Sequence, residues 1–137
     1  MDLKEEQINA LVSDAKNIKT KAYVPYSHFP VGAAILYKNG DVITGVNIEN
    51  VSFGATNCAE RTALFTGVTK GYGKEDVAAI AVSANMEGYI TPCSICRQVM
   101  VELCDADTPV FLTNGKDEIK RVTIDELVPY AFDSLNN

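Results

Sequence analysis

The 137-residue chain sets 12 lysines and arginines against 18 aspartates and glutamates, a formal net charge of −6. It has no basic stripe beyond Lys16, Lys19 and Lys21 to neutralise the phosphates of a DNA or RNA polymer. Its 47% apolar and 22% charged residues are ordinary globular usage, which excludes a disordered or collagen-like chain, and the length suits one domain, residues 1–137. No apolar run approaches the roughly 20 residues that span a bilayer, and the opening Met1-Asp2-Leu3-Lys4-Glu5-Glu6 lacks the hydrophobic segment of a secretory signal, so a cytoplasmic protein without a membrane partner is expected.

Residues 2–23 read as an amphipathic helix, with Ile8, Leu11, Val12, Ala15, Ile18 and Ala22 recurring at three- and four-residue steps. Asp2 and Glu5 suit a capping box, lysines gather in the later turns, and Pro25 stops the helix. Residues 31–37 and 41–46 are predicted strands joined by a tight hairpin at Asn39-Gly40. Residues 57–68 are predicted helical, with Asn57 and Glu60 able to form a capping box. The continuous apolar run 77–82 predicts a central strand covered on both faces. Thr91 as cap and Pro92 at the first position open another helix, whose inner face is Ile95, Val99, Met100 and Leu103. Residues 109–113 form a further strand, and Thr123 with Glu126 caps a last short helix. The order α-β-β-α-β-α-β-α predicts an α/β fold, a three-layer α/β/α sandwich around a mixed central sheet. Its antiparallel strands come from the hairpin and its parallel ones from the later strand-helix-strand crossover.

Cysteines fall at both inner helix starts: Cys58 at one, Cys93 and Cys96 at the other, with Cys104 beyond. In a reducing compartment disulfides are not expected, and one pair three apart plus a distant single cysteine is a metal-ligand pattern. Cys93 and Cys96 lie one helical turn apart, so both sulfurs reach one ion, and Cys58 completes a three-sulfur zinc site with an open position for water. Helix N-termini favour the thiolate form. Glu60 is turned by about 200° from Cys58, so it is expected over the metal as a proton carrier and not as a fourth ligand. On spacing alone, Asn47 and Glu49 are ordinary strand-end polar groups, Phe29 and Phe132 are core or interface aromatics, and Arg61 is a solvated helix residue. His28 is expected exposed, Cys104 a buried small hydrophobe, and Arg97 a surface or inter-subunit residue.

Cys58-Ala59-Glu60 followed by Pro92-Cys93-Ser94-Ile95-Cys96 resembles the signature of the zinc nucleoside deaminases. With Pro25-Tyr26-Ser27-His28-Phe29-Pro30-Val31-Gly32-Ala33-Ala34, Gly45-Val46-Asn47-Ile48-Glu49-Asn50 and the stretch from Cys58 to Leu64, nearly the whole chain resembles the small, homotetrameric cytidine deaminases. That resemblance implies Cys58, Cys93 and Cys96 as Zn²⁺ ligands and Glu60 as the proton shuttle. It implies Asn47 and Glu49 on the ribose hydroxyls, Phe29 packed on the pyrimidine, and the Ala59 backbone at the base's polar edge. Arg61 would donate hydrogen bonds to the ligand sulfurs, and Phe132, within residues 127–132, would reach a neighbouring subunit's site. Phe53 departs from the family, where many members carry Tyr. The implied activity is hydrolytic deamination of free cytidine and deoxycytidine to uridine and deoxyuridine, in a homotetramer with shared active sites. The competing readings are a deaminase of another aminopyrimidine nucleoside of the blasticidin type, a non-catalytic zinc module with Cys104 as fourth ligand, and a thiol hydrolase pairing Cys58 with His28.

Overall fold

The computed structural model describes residues 2–135. Its five-stranded sheet has the order β2-β1-β3-β4-β5. The strands are β1 (Val31–Tyr37), β2 (Val42–Val46), β3 (Val77–Ala84), β4 (Pro109–Thr113) and β5 (Ile119–Thr123). β1 pairs antiparallel with β2 and β3, β3 pairs parallel with β4, and β4 pairs antiparallel with β5. The helices are α1 (Glu5–Ile18), α2 (Ala59–Thr69), α3 (Ser94–Leu103) and the single turn α4 (Ile124–Leu127). Among the described residues no helix is long and apolar enough to cross a membrane.

β1 and β3 are buried along their whole length, as strands covered on both faces must be. Alternation then sorts the side chains into two cores. Val31, Ala33, Ile35 and Tyr37 of β1 face the core that includes Ala59, Ala63 and Leu64 of α2 and Met100 and Val101 of α3. Ala34 and Leu36, with Ala78, Ala79 and Ala81 of β3, face Leu11 and Ala15 of α1. The expected three layers therefore form, with α1 on one face and α2 and α3 on the other, where α4 adds Ile124 to the core. Small residues set the layer spacing: a Cβ on Gly32 would come 2.0 Å from the Ala15 carbonyl oxygen. One on Gly45 would come 2.5 Å from the Ala63 amide nitrogen and 2.6 Å from the Ala59 carbonyl oxygen, so α2 lies directly on the β2 backbone.

Several expectations about element ends are corrected. Lys4 caps α1, its N–H donating to Gln7 Oε1 at 2.9 Å, in place of an Asp2/Glu5 box. Cys58 caps α2, while the Asn57 side chain donates to Thr62 Oγ1 at 3.1 Å. Cys93 caps α3, its sulfur accepting from the Cys96 N–H at 3.5 Å, so Thr91 and Pro92 lie outside the helix. β5 is an additional strand that the expected element order lacks, paired antiparallel with β4. The 39–40 hairpin and the Thr123/Glu126 box, with the Thr123 N–H on Glu126 Oε1 at 3.0 Å, form as expected.

Candidate active site

The starts of α2 and α3 converge, and with them three sulfurs. Cys58, Cys93 and Cys96 are the one group of three potential metal-ligating side chains, among the described residues, whose ligand atoms lie within 4.8 Å of one another. Cys58 Sγ and Cys93 Sγ are 3.7 Å apart, close to the spacing of about 3.8 Å that a tetrahedral zinc with Zn–S bonds of about 2.3 Å imposes. Arg61, one turn into α2, donates from its Nη2 to Cys58 Sγ at 3.3 Å and from its Nε to Cys96 Sγ at 3.4 Å. The Cys96 contact, against opposing burial, and then Arg61 and Cys93 pull the Cys58 thiol down to about 5. The same contact, then burial and Glu60, push Cys96 far up. Burial works against the Arg61 charge, but its bonds to Cys58 and Cys96 hold it firmly protonated. Thiols that trade protons at this range ionise together only around a cation, and the donor set fits Zn²⁺.

Glu60 sits in the first turn of α2 and is 4% exposed. Burial, with a smaller push from Cys58, raises its carboxyl to about 7. It stands outside the ligand group yet within electrostatic reach of Cys58 and Cys96. A carboxyl poised near neutrality can both take and give a proton. Ala59, wholly buried, is the first residue of α2, where intrahelical bonding leaves the backbone N–H free for a ligand.

A chain of backbone bonds ties the segment 47–49 to this centre. The Ile48 N–H donates to the Asn57 carbonyl and the Asn57 N–H to the Ile48 carbonyl, both at 2.9 Å. Residue 57 directly precedes Cys58, so the extended segment 47–49 is fixed against the metal ligand. On such a segment residues 47 and 49 face one way. Asn47 accepts from the Val31 N–H and donates to the Phe29 carbonyl, each at 2.9 Å, which brings Phe29 to the same side. Half of the hydrogen-bonding capacity of the Asn47 amide is thus spent on the chain itself. Glu49 accepts from the Tyr26 and Ser27 N–H groups at 3.1 and 3.0 Å and from Ser27 Oγ. The Ser27 bonds hold its carboxyl below the ordinary glutamate value. Tyr26, Ser27, Glu49, Asn50, Phe53 and Thr56 line an open cleft of about 390 Å³.

Phe132 is 62% exposed, and its carbonyl accepts from Gln98 Nε2 at 2.7 Å. Its ring lies on the surface and not against the trio. His28 is exposed, at φ 56°, and Cys104 is buried in the core outside the sulfur group. Neither a Cys58/His28 pair nor a fourth sulfur from Cys104 is formed. Arg97 is not a free surface residue: its Nε donates to the Pro92 carbonyl at 2.8 Å and its Nη1 to the Leu127 carbonyl at 3.1 Å. The Ser27–Glu49 pair and the Asn57 bridge were missed because their acceptors are far off in sequence or on the backbone.

Residues 5–112 match the family described as the cytidine and deoxycytidylate deaminase zinc-binding region. The chain is 54% identical over 122 residues to a cytidine deaminase of Halalkalibacterium halodurans, covering 89% of this chain and 91% of that one. A crystal structure of cytidine deaminase from Burkholderia pseudomallei superposes with a TM-score of 0.89 at 45% identity, covering 95% of this chain and all of the other. A blasticidin-S deaminase of Bacillus cereus is 30% identical over 128 residues, 89% of each chain. The matched stretch holds the three converging sulfurs, Glu60 and Arg61, and with that identity and coverage the chain belongs to the zinc-binding cytidine and deoxycytidylate deaminase family.

Proposed function

We propose that the chain hydrolyses free cytidine and deoxycytidine to uridine and deoxyuridine, releasing ammonia, as a single catalytic domain in the cytoplasm. Cys58, Cys93 and Cys96 would hold Zn²⁺, which supplies Lewis acidity toward a water molecule at its open position. Glu60 would take one proton from the attacking water and deliver it to N3 of the pyrimidine as the C4–O bond forms. It would then take the remaining proton of the new C4 hydroxyl and deliver it to the amine as the C4–N bond breaks, leaving the C4 carbonyl of uridine and ammonia. Its burial keeps one carboxyl able both to take and to give near neutrality. The Ala59 backbone meets the base's polar edge and Phe29 packs on its face. Asn47, with the donor and acceptor capacity left free, and Glu49 take the ribose hydroxyls. Contacts remote from C4 fix the ring relative to Glu60. Phe132 would close the site of a neighbouring subunit in a homotetramer. A free nucleoside, already unstacked, suits an acidic chain better than a nucleic-acid polymer does.

The observation that carries this reading is a carboxyl only 4% exposed, in the first turn of α2, beside a three-sulfur centre built on two helix starts. The stronger similarity to cytidine deaminases than to the blasticidin-S enzyme favours plain cytidine as substrate. The test is ammonia release from cytidine by the intact protein, a metal-stripped sample and Glu60→Ala. Release by the intact protein alone, with a loss of at least about 10²-fold in Glu60→Ala, is expected. Activity that survives either treatment overturns the mechanism. An intact protein that spares cytidine but deaminates blasticidin S overturns the substrate.

A further inference from the structure

The three sulfurs are not secured alike. Cys96 is fully buried, and both it and Cys58 receive a hydrogen bond from Arg61. Cys93 is the exposed member of the trio. Its backbone, however, is held on both sides by one residue. The Arg97 N–H donates to the Cys93 carbonyl at 2.9 Å, and the Arg97 Nε donates to the Pro92 carbonyl, on the peptide that leads into Cys93, at 2.8 Å. The other arm of the same guanidinium donates to the Leu127 carbonyl at 3.1 Å, where α4 ends and the segment to Phe132 begins. The next residue, Gln98, holds the Phe132 carbonyl at the far end of that segment.

We propose that Arg97 is a positioning residue that locks the Cys93 turn and the 128–132 strap together through the Pro92 and Leu127 carbonyls. The inference rests on the reading of the trio as the zinc centre. A planar guanidinium presents several N–H donors in fixed directions and can bridge two carbonyls, whereas a lysine ammonium is a flexible point charge. Both acceptors are main-chain, so the bridge is indifferent to the side chains of the strap. Arg61 compensates charge at two sulfurs, and Arg97 sets the backbone of the third. The least packed ligand therefore takes its place from the element that carries Phe132.

The experiment uses the zinc-loaded protein and reads two quantities besides turnover: the rate of zinc release to a chelator and amide hydrogen exchange along the chain. Arg97→Ala is expected to speed zinc release roughly 10–100-fold, the usual effect of losing a group that orients a ligand, and to raise exchange in residues 128–132. Protection in β3 and β4 should hold. Arg97→Lys should fail to restore both readouts together. Gln98→Ala is expected to raise exchange near residue 132 with zinc release unchanged. Zinc release from Arg97→Ala at the wild-type rate overturns the proposal, as does full rescue by lysine or loss of protection throughout the sheet. If Arg97→Ala does not fold, Arg97→Lys is judged by the same two readouts. Wild-type protein that takes up no zinc overturns the reading of the site itself, a separable failure.

Discussion

Arg61 divides its guanidinium between two sulfurs, at 3.3 Å from Cys58 and 3.4 Å from Cys96. Three thiolates around Zn²⁺ leave a net charge of −1 at the centre, which weakens the acidity that the metal confers on water. A cation bonded to the sulfurs withdraws part of that charge. Arg61→Ala should therefore keep the fold, since the residue is only half-buried, and lower zinc retention or turnover by roughly 10-fold or more. Zinc content after dialysis and the rate on cytidine check this together, and no change in either would remove the role. At this scale legibility followed locality. The cysteine trio was readable because each sulfur sits at a helix start and two of them, Cys93 and Cys96, lie three residues apart. Asn47 was recognisable only through family resemblance: its structural partners, Phe29 and Val31, lie 18 and 16 residues away. Arg97 left no trace in the sequence because it binds carbonyls, one of them 30 residues off, and any residue supplies a carbonyl.

Between elements, the packing of α2 on β1 turns on one buried phenol. Tyr37 of β1 is 1% exposed and stacks on Tyr72 with ring centroids 3.8 Å apart, and its hydroxyl occupies the space that a Cβ on Gly67 would enter. Burial first, with Cys104, Tyr72 and Asp76 adding to it, raises Tyr37 to about 12, and burial likewise raises Cys104 on the same face to about 12. Both groups are held neutral, so the fold binds their protons more tightly than the unfolded chain does. This stabilisation is complete below the ordinary values of 10.0 and 9.0 and is lost as pH rises toward 12. Two units on Tyr37 amount to about 3 kcal/mol. Urea midpoints should therefore fall between pH 9 and 12, and Tyr37→Phe should flatten the part above pH 10; an equally steep fall in the variant would contradict the account. β3 was legible from its unbroken apolar run, and β1 as one arm of the hairpin that turns at Asn39-Gly40. β5 was not, although Asn114-Gly115 offers the same hairpin signal as Asn39-Gly40. Its Ile119-Lys120-Arg121-Val122-Thr123 is a largely exposed edge strand with charges on it, the composition that blunts an edge and hides it from a search for apolar runs.

The single chain leaves a good deal of apolar surface in water. Phe53 is 85% exposed, and Phe65, Val68, Val99 and Leu103 line a groove of about 370 Å³ between α2 and α3. Surface of this kind marks association. For the proposed homotetramer, light scattering is expected to give four times the 14.8 kDa of one chain. If sites are shared, Glu60 and Phe132 serve different centres from one chain, and their defects must complement. Glu60→Ala spoils the site in its own subunit and still lends Phe132 to a neighbour; Phe132→Ala does the reverse. When the two weakly active variants are dissociated, mixed and reassembled, some sites receive an intact Glu60 from one chain and an intact Phe132 from another. The mixture should then deaminate cytidine faster than either variant alone, and more so than their average. A mixture that stays at the average would confine Phe132 to its own chain. That outcome would remove the shared-site arrangement, and the exposed ring, 62% open to solvent, would serve no neighbouring subunit.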